Sequence, residues 1–169
     1  MKALVIGATG ATGKDLVTQL LSDPDFKEVD VFVRKPVPIQ NPKLKTHIVD
    51  FEKPDEWKDL VKGDVAFSCL GTTLKTAGSK EAQRKVDYDY QYNFAKSARE
   101  NNVEDYVLVS SYGADSKSKI FYSKMKGDLE QSVKALHFNK ITIFQPGMLE
   151  RKETERMGEV LGGKIIKLA

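Results

Sequence analysis

Tyr122 and Lys126 stand four residues apart in a stretch of helical pattern, so they share one face. A free phenol has a pKa of about 10, poorly matched to proton transfer near neutrality. A neighbouring ammonium favours the phenolate and lowers that value. Ser110 lies twelve residues before Tyr122, at the end of the apolar run 106–109, where its hydroxyl can hold a substrate oxygen. Together the three side chains suit polarising a carbonyl and protonating it as hydride arrives. Tyr-x-x-x-Lys alone is a weak signal in a Lys-rich chain, and the competing reading is a surface helix with a partly buried tyrosine. Its place after a predicted strand and the pair Ser110-Ser111 strengthens it.

Such chemistry needs a hydride carrier, and the first twenty residues offer a seat for one. Ala3-Leu4-Val5-Ile6 is an apolar, β-branched run that predicts a buried strand. Gly7, Gly10 and Gly13 follow, and then Leu16, Val17, Leu20 and Leu21 recur at helical spacing. Strand, glycine turn and helix is the setting of a dinucleotide site. Gly7 permits a tight turn, Gly10 admits a pyrophosphate close to the backbone, and Gly13 lets the helix pack on the strand. Thr9, Ala11 and Thr12 complete the loop, whose helix N-terminus offers N–H groups to phosphate. A P-loop requires Gly at position 8 and Ser or Thr at 15; here Ala8 and Asp15 exclude it. The remaining alternative is a turn with no ligand.

Composition bounds the rest. The chain has 169 residues, 40% hydrophobic and 30% charged, which predicts one domain, 1–169, with a substantial core. Its net charge of +3 is dispersed, suits an anionic cofactor, and lacks the basic stripe of a nucleic-acid binder. Cys69 is the only cysteine, so no internal disulfide forms and a reducing cytoplasm is expected. No signal peptide is read at the amino terminus, and no apolar run approaches membrane-spanning length. His47 has no second ligand nearby, so no metal is expected.

Further strands are predicted at 28–33, 44–49, 64–70, 106–109 and 140–144. Helices are expected at 54–61, with Trp57, Leu60 and Val61 inward, and at 80–101, with Val86, Tyr90, Phe94 and Ala98 on one face. Others are expected at 120–136 and 156–168, and 76–79 reads as a flexible loop. The alternation predicts a doubly wound parallel α/β sheet, a Rossmann fold of strand order 3-2-1-4-5-6. Ligands then sit at the carboxyl ends of the strands, where the loops 7–13, 34–35, 50–51, 69–73, 110–113 and 145–148 converge.

Arg34 and Lys35 end the second strand, where an Arg accommodates the 2′-phosphate of NADP; Asp30 lies too early to bind a 2′-hydroxyl. The alternative is a solvated strand end. At the tip of the third strand Asp50 can accept from an adenine amino group and Phe51 can cover the ring. Cys69, Leu70, Gly71 and Thr72 would pass beside the cofactor, with Cys69 a small buried hydrophobe rather than a nucleophile.

GATGATG, the Val33-Arg34 end, Ser110-Ser111, Tyr122-x-x-x-Lys126 and Pro146-Gly147 resemble the atypical short-chain dehydrogenase/reductases. CLGTT at 69–73, VDYDY at 86–90 and SSYGAD at 110–115 are similar to the Tat-interacting-protein-like oxidoreductases, relatives of the NmrA-like proteins. The resemblance implies an NADP(H)-binding domain in which Ser110, Tyr122 and Lys126 match the catalytic residues, Lys126 also orienting the nicotinamide ribose. Pro146-Gly147-Met148 would meet the nicotinamide end.

Four departures are visible: the glycines follow G-x-x-G-x-x-G, Asp87 stands where extended members carry Asn, Gln145 replaces a frequent Arg, and the chain stops at Ala169. The last predicts a short or truncated substrate segment. The expectation is an NADP(H)-dependent oxidoreductase acting on a small carbonyl substrate, as a monomer or homodimer. The alternative is an NADPH-binding regulatory or scaffold protein without turnover.

Overall fold

A computed structural model of the chain describes residues 1–147. Residues 148–169, with Met148 and the helical pattern at 156–168, lie outside the described part. Strands β1 (Lys2–Ile6), β2 (Glu28–Val33), β3 (Leu44–Ile48), β4 (Val65–Ser68), β5 (Asp105–Val109) and β6 (Lys140–Phe144) form one sheet. Its order is β3-β2-β1-β4-β5-β6 and all its pairings are parallel, as the alternation of strands and helices predicts.

Pleating divides the core between two faces. Ala3 and Val5 of β1, with Val29, Val31 and Val33 of β2, pack on Val17 and Leu20 of helix α1 (Ala11–Ser22). Leu4, Ile6 and Phe32 face the other way. They join Phe94, Ala95 and Ala98 of helix α4 (Tyr90–Glu100) and Leu129 and Val133 of helix α5 (Phe121–Lys134). Register brings Ile6 opposite both Phe32 and Ser68, so the strand ends that carry the loops of interest are level.

Three local expectations need correction. Segment 54–61 forms two 3₁₀ turns, Pro54–Glu56 and Lys58–Leu60, in place of one helix. Trp57 breaks them: its ring is buried and its indole N–H donates to the Asp50 carbonyl at 2.8 Å, while Leu60 turns to solvent at 45% exposure. The segment 76–79 is no loose loop. Helix α2 (Leu74–Ala77) ends there, capped at its start by the Thr73 hydroxyl, which accepts from the Thr76 N–H, and closed by Gly78 at φ +87°.

The long helix is in three parts: α3 (Lys80–Arg84), a π-turn (Lys85–Asp89) and α4. Its buried face therefore carries Gln83, Asp87 and Gln91, with Val86 and Tyr90 only partly buried. Polar contacts hold this arrangement. The Gln91 amide donates to the Asp87 carbonyl at 2.8 Å, and its oxygen accepts from Ser68 Oγ at 2.8 Å.

Candidate functional site

The glycine loop turns at Gly7, whose φ of +83° favours a residue without a side chain. A Cβ there would also lie 2.4 Å from the Leu70 nitrogen, so β4 can run close beside the turn. Gly13 lies against the same turn. Gly10 differs, since a Cβ on it meets only the Gly7 carbonyl oxygen, at 3.4 Å. Gly10 is also the N-cap of α1 and supplies no side-chain hydrogen bond to the helix, so the N–H groups of the first turn have no such cap.

Gly10, Ala11 and Thr12 form one wall of a cavity of 370 Å³ over the carboxyl ends of the strands. Cys69, Leu70, Gly71, Thr72 and Thr73 after β4 form the next wall. Val109, Ser110 and Ser111 close β5 against it, and Pro146 and Gly147 arrive from β6. Tyr122, Lys126 and Asp87 come from the helices. Twelve of the twenty residues singled out in the sequence line this cavity; Gly7, Thr9, Gly13, Arg34, Lys35, Asp50 and Phe51 do not, and Met148 lies outside the described residues. Thr73 and Ser111, noted in the sequence as parts of motifs, and Val109, part of a predicted strand, also line it although none was assigned a site role. Asp87 drew attention only as a departure, and no spacing in the sequence links it to Lys126.

Lys126 Nζ lies 3.2 Å from Asp87 Oδ1, with both side chains buried. Asp87 Oδ2 accepts the Thr72 N–H at 2.9 Å. Burial pushes the Asp87 carboxyl above its ordinary pKa, opposed by the Lys126 charge and the Thr72 N–H. Lys126 Nζ also stands 6.0 Å from the centre of the Tyr122 ring, and Tyr122 is 38% exposed at the mouth. Ser110 Oγ donates to Glu130 Oε1 at 2.5 Å, and the Gln145 amide donates to the same oxygen at 2.8 Å. Glu130 is buried on α5, four residues beyond Lys126. Burial pushes the Cys69 thiol up to about 11, so it stays protonated near neutrality, in keeping with a small hydrophobe.

Arg34 and Lys35 are exposed at the end of β2, outside the cavity wall. Asp50 is exposed as well, and its side chain accepts the Glu52 N–H at 3.0 Å. The expectation for Phe51 needs correction. Its ring is 4% exposed and packs among Trp57 and Tyr90, with centroids 6.0 and 5.4 Å away, so it belongs to the core and cannot cover a solvent-side base. Asp30 is likewise buried in mid-strand, where its carboxylate meets His47 and Lys2.

A family model described as NAD(P)H-binding matches residues 7–165. The chain belongs to the NAD(P)H-binding family. Its relatives include Protein FMP52, mitochondrial, of Coccidioides immitis (strain RS), 36% identical over 90% of this chain and 67% of that protein. Protein HTATIP2 of Rattus norvegicus is 37% identical over 95% of this chain and 68% of its own length, which bears out the resemblance to the Tat-interacting-protein-like group. The fold matches that of the Bordetella bronchiseptica enzyme WbmH in complex with NAD+, at a TM-score of 0.74 and 12% identity over 90% of this chain. The chain spans only 58% of that structure.

The cavity suits the cofactor of an NAD(P)H-binding protein. Gly10 leaves open space where a side chain would stand, and the uncapped N-terminus of α1 offers donors to phosphate. The expected cytoplasmic location is overturned: FMP52 relatives from several fungi are named mitochondrial.

Proposed function

We propose that the protein is an NADP(H)-dependent oxidoreductase acting on a small carbonyl substrate. The observation that carries this reading is the meeting of Tyr122, Lys126 and Ser110 in the same cavity as the glycine loop. When bound, the nicotinamide supplies or receives the hydride. Tyr122, partly exposed at the mouth, holds the proton that the substrate oxygen takes up. Lys126 brings a positive charge to the edge of that phenol and orients the ribose. Ser110 holds the substrate oxygen, which requires its hydroxyl to turn from Glu130. Arg34 and Lys35, exposed at the end of β2, suit a 2′-phosphate, and the mitochondrial names of FMP52 relatives support a mitochondrial location.

One observation favours the regulatory alternative. Lys126 is already paired with Asp87 and Ser110 with Glu130, so two of the three groups are satisfied within the protein. Turnover separates the readings. A panel of small aldehydes, ketones and enones is incubated with NADPH, and nucleotide oxidation is followed by absorbance. The enzyme reading predicts turnover of at least one carbonyl, with Tyr122→Phe lowering kcat by about 10²–10⁴ and leaving NADPH affinity within about twofold. Tight NADPH binding with no turnover of any carbonyl, or turnover unchanged in Tyr122→Phe, contradicts it.

A further inference from the structure

Asp87 and Lys126 are the only charged side chains among the described residues that line the cavity. Burial of either charge alone is costly, and each answers the other across 3.2 Å. Asp87 is fixed from three directions. The Thr72 N–H donates to Oδ2, the Gln91 amide donates to its backbone carbonyl, and the π-turn that carries it packs against α5. Its Oδ1 makes no hydrogen bond among the described residues, so its contact with Lys126 is an ion contact. Lys126 in turn stands beside the Tyr122 ring. The carboxylate is thus fixed beside the ammonium, and together they leave the described cavity lining with no net side-chain charge.

We infer that Asp87 is a positioning residue, which holds Lys126, offsets part of its charge, and thereby sets how the cavity discriminates between oxidised and reduced nicotinamide. This rests on the proposed function, in which the nicotinamide end lies beside Lys126. The oxidised ring is cationic and the reduced ring neutral. An uncompensated ammonium repels the first and leaves the second unaffected, and partial burial makes that repulsion stronger than in water. A purely structural role for Asp87 weakens both nucleotides alike.

Direct titration of the full chain with NADP+ and with NADPH tests this without turnover. The ratio of the two dissociation constants is compared in wild type, Asp87→Asn, Lys126→Met and the double variant. Asp87→Asn is expected to weaken NADP+ relative to NADPH by about five- to tenfold. Lys126→Met leaves Asp87 uncompensated and shifts the ratio the other way, and the double variant returns it to within about twofold of wild type. Thermal melting identifies a variant that does not fold; if Asp87→Asn is one, the comparison of Lys126→Met with the double variant decides, since the inference requires the Asp87 charge to shift the ratio between them. A ratio unchanged by these substitutions, with the wild type binding normally, overturns the inference and leaves the proposed function standing. Failure of the wild type to bind either nucleotide overturns both.

Discussion

The Cβ that Gly13 lacks falls 2.1 Å from the carbonyl oxygen of Gly7. Helix α1 can leave the end of β1 at this angle only because position 13 has no side chain, and the obstacle is backbone that cannot step aside. Gly13→Ala is expected to destabilise the fold by roughly 1–3 kcal/mol and to lose NADPH binding with it. Gly10→Ala meets ordinary contact at 3.4 Å, so its melting temperature stays near wild type while NADPH affinity falls about tenfold or more. Thermal melting and nucleotide titration on the two variants check the contrast. A Gly10→Ala protein that binds like wild type places the phosphates elsewhere.

Glu130 ties the tips of β5 and β6 together through one oxygen, which accepts from both Ser110 and Gln145. Glu130→Ala leaves the buried Ser110 hydroxyl without its acceptor, while the exposed Gln145 amide can turn to water, and is expected to cost about 1–3 kcal/mol. Glu130→Gln keeps an oxygen in place and should cost less. Urea unfolding of the pair checks the order; equal losses contradict the bridging role.

Asp30 makes stability depend on acid pH. Its burial favours the neutral form, but the hydrogen bond from His47, at 2.6 Å, and the Lys2 ammonium, at 3.0 Å, outweigh that and hold its pKa below the ordinary carboxylate value. A carboxyl depressed in the folded state contributes stability above its unfolded pKa, about 4, and loses it as pH falls through the folded value. Asp30→Asn should therefore be less stable than wild type at neutral pH, with the gap closing below about pH 4. Urea titrations across that range measure it, and a gap independent of pH contradicts the assignment.

The sheet was legible because the strands are short apolar or alternating runs and the crossovers after β1, β4 and β5 carry helical patterns, which leaves few topologies open. The glycine loop was legible because strand, turn and helix are adjacent in the chain. What escaped were relationships between distant segments. Nothing in the spacing pairs Asp87 with Lys126 or Ser110 with Glu130, since each pair joins separate elements. The π-turn at Lys85–Asp89 shows no signal distinct from an ordinary helix, and it carries the fully buried Asp87. Phe51 looked available at a strand tip, yet Trp57 and Tyr90 draw it into the core. The helix expected over 54–61 gave way to Trp57, which bonds back to the Asp50 carbonyl.

Nucleotide selectivity tests the account most directly. The purified protein and Arg34→Ala are titrated with NADPH and NADH at one ionic strength, with fluorescence as the readout. An Arg34 contact to the 2′-phosphate, a hydrogen bond to a charged group of about 1.5–3 kcal/mol, predicts NADPH bound roughly 10- to 100-fold more tightly than NADH by the wild type. Arg34→Ala should bind the two nearly alike, with NADH affinity unchanged. Equal affinities in the wild type, or no binding of either nucleotide, would contradict the reading of Arg34 and of the glycine cavity as an NADP(H) site.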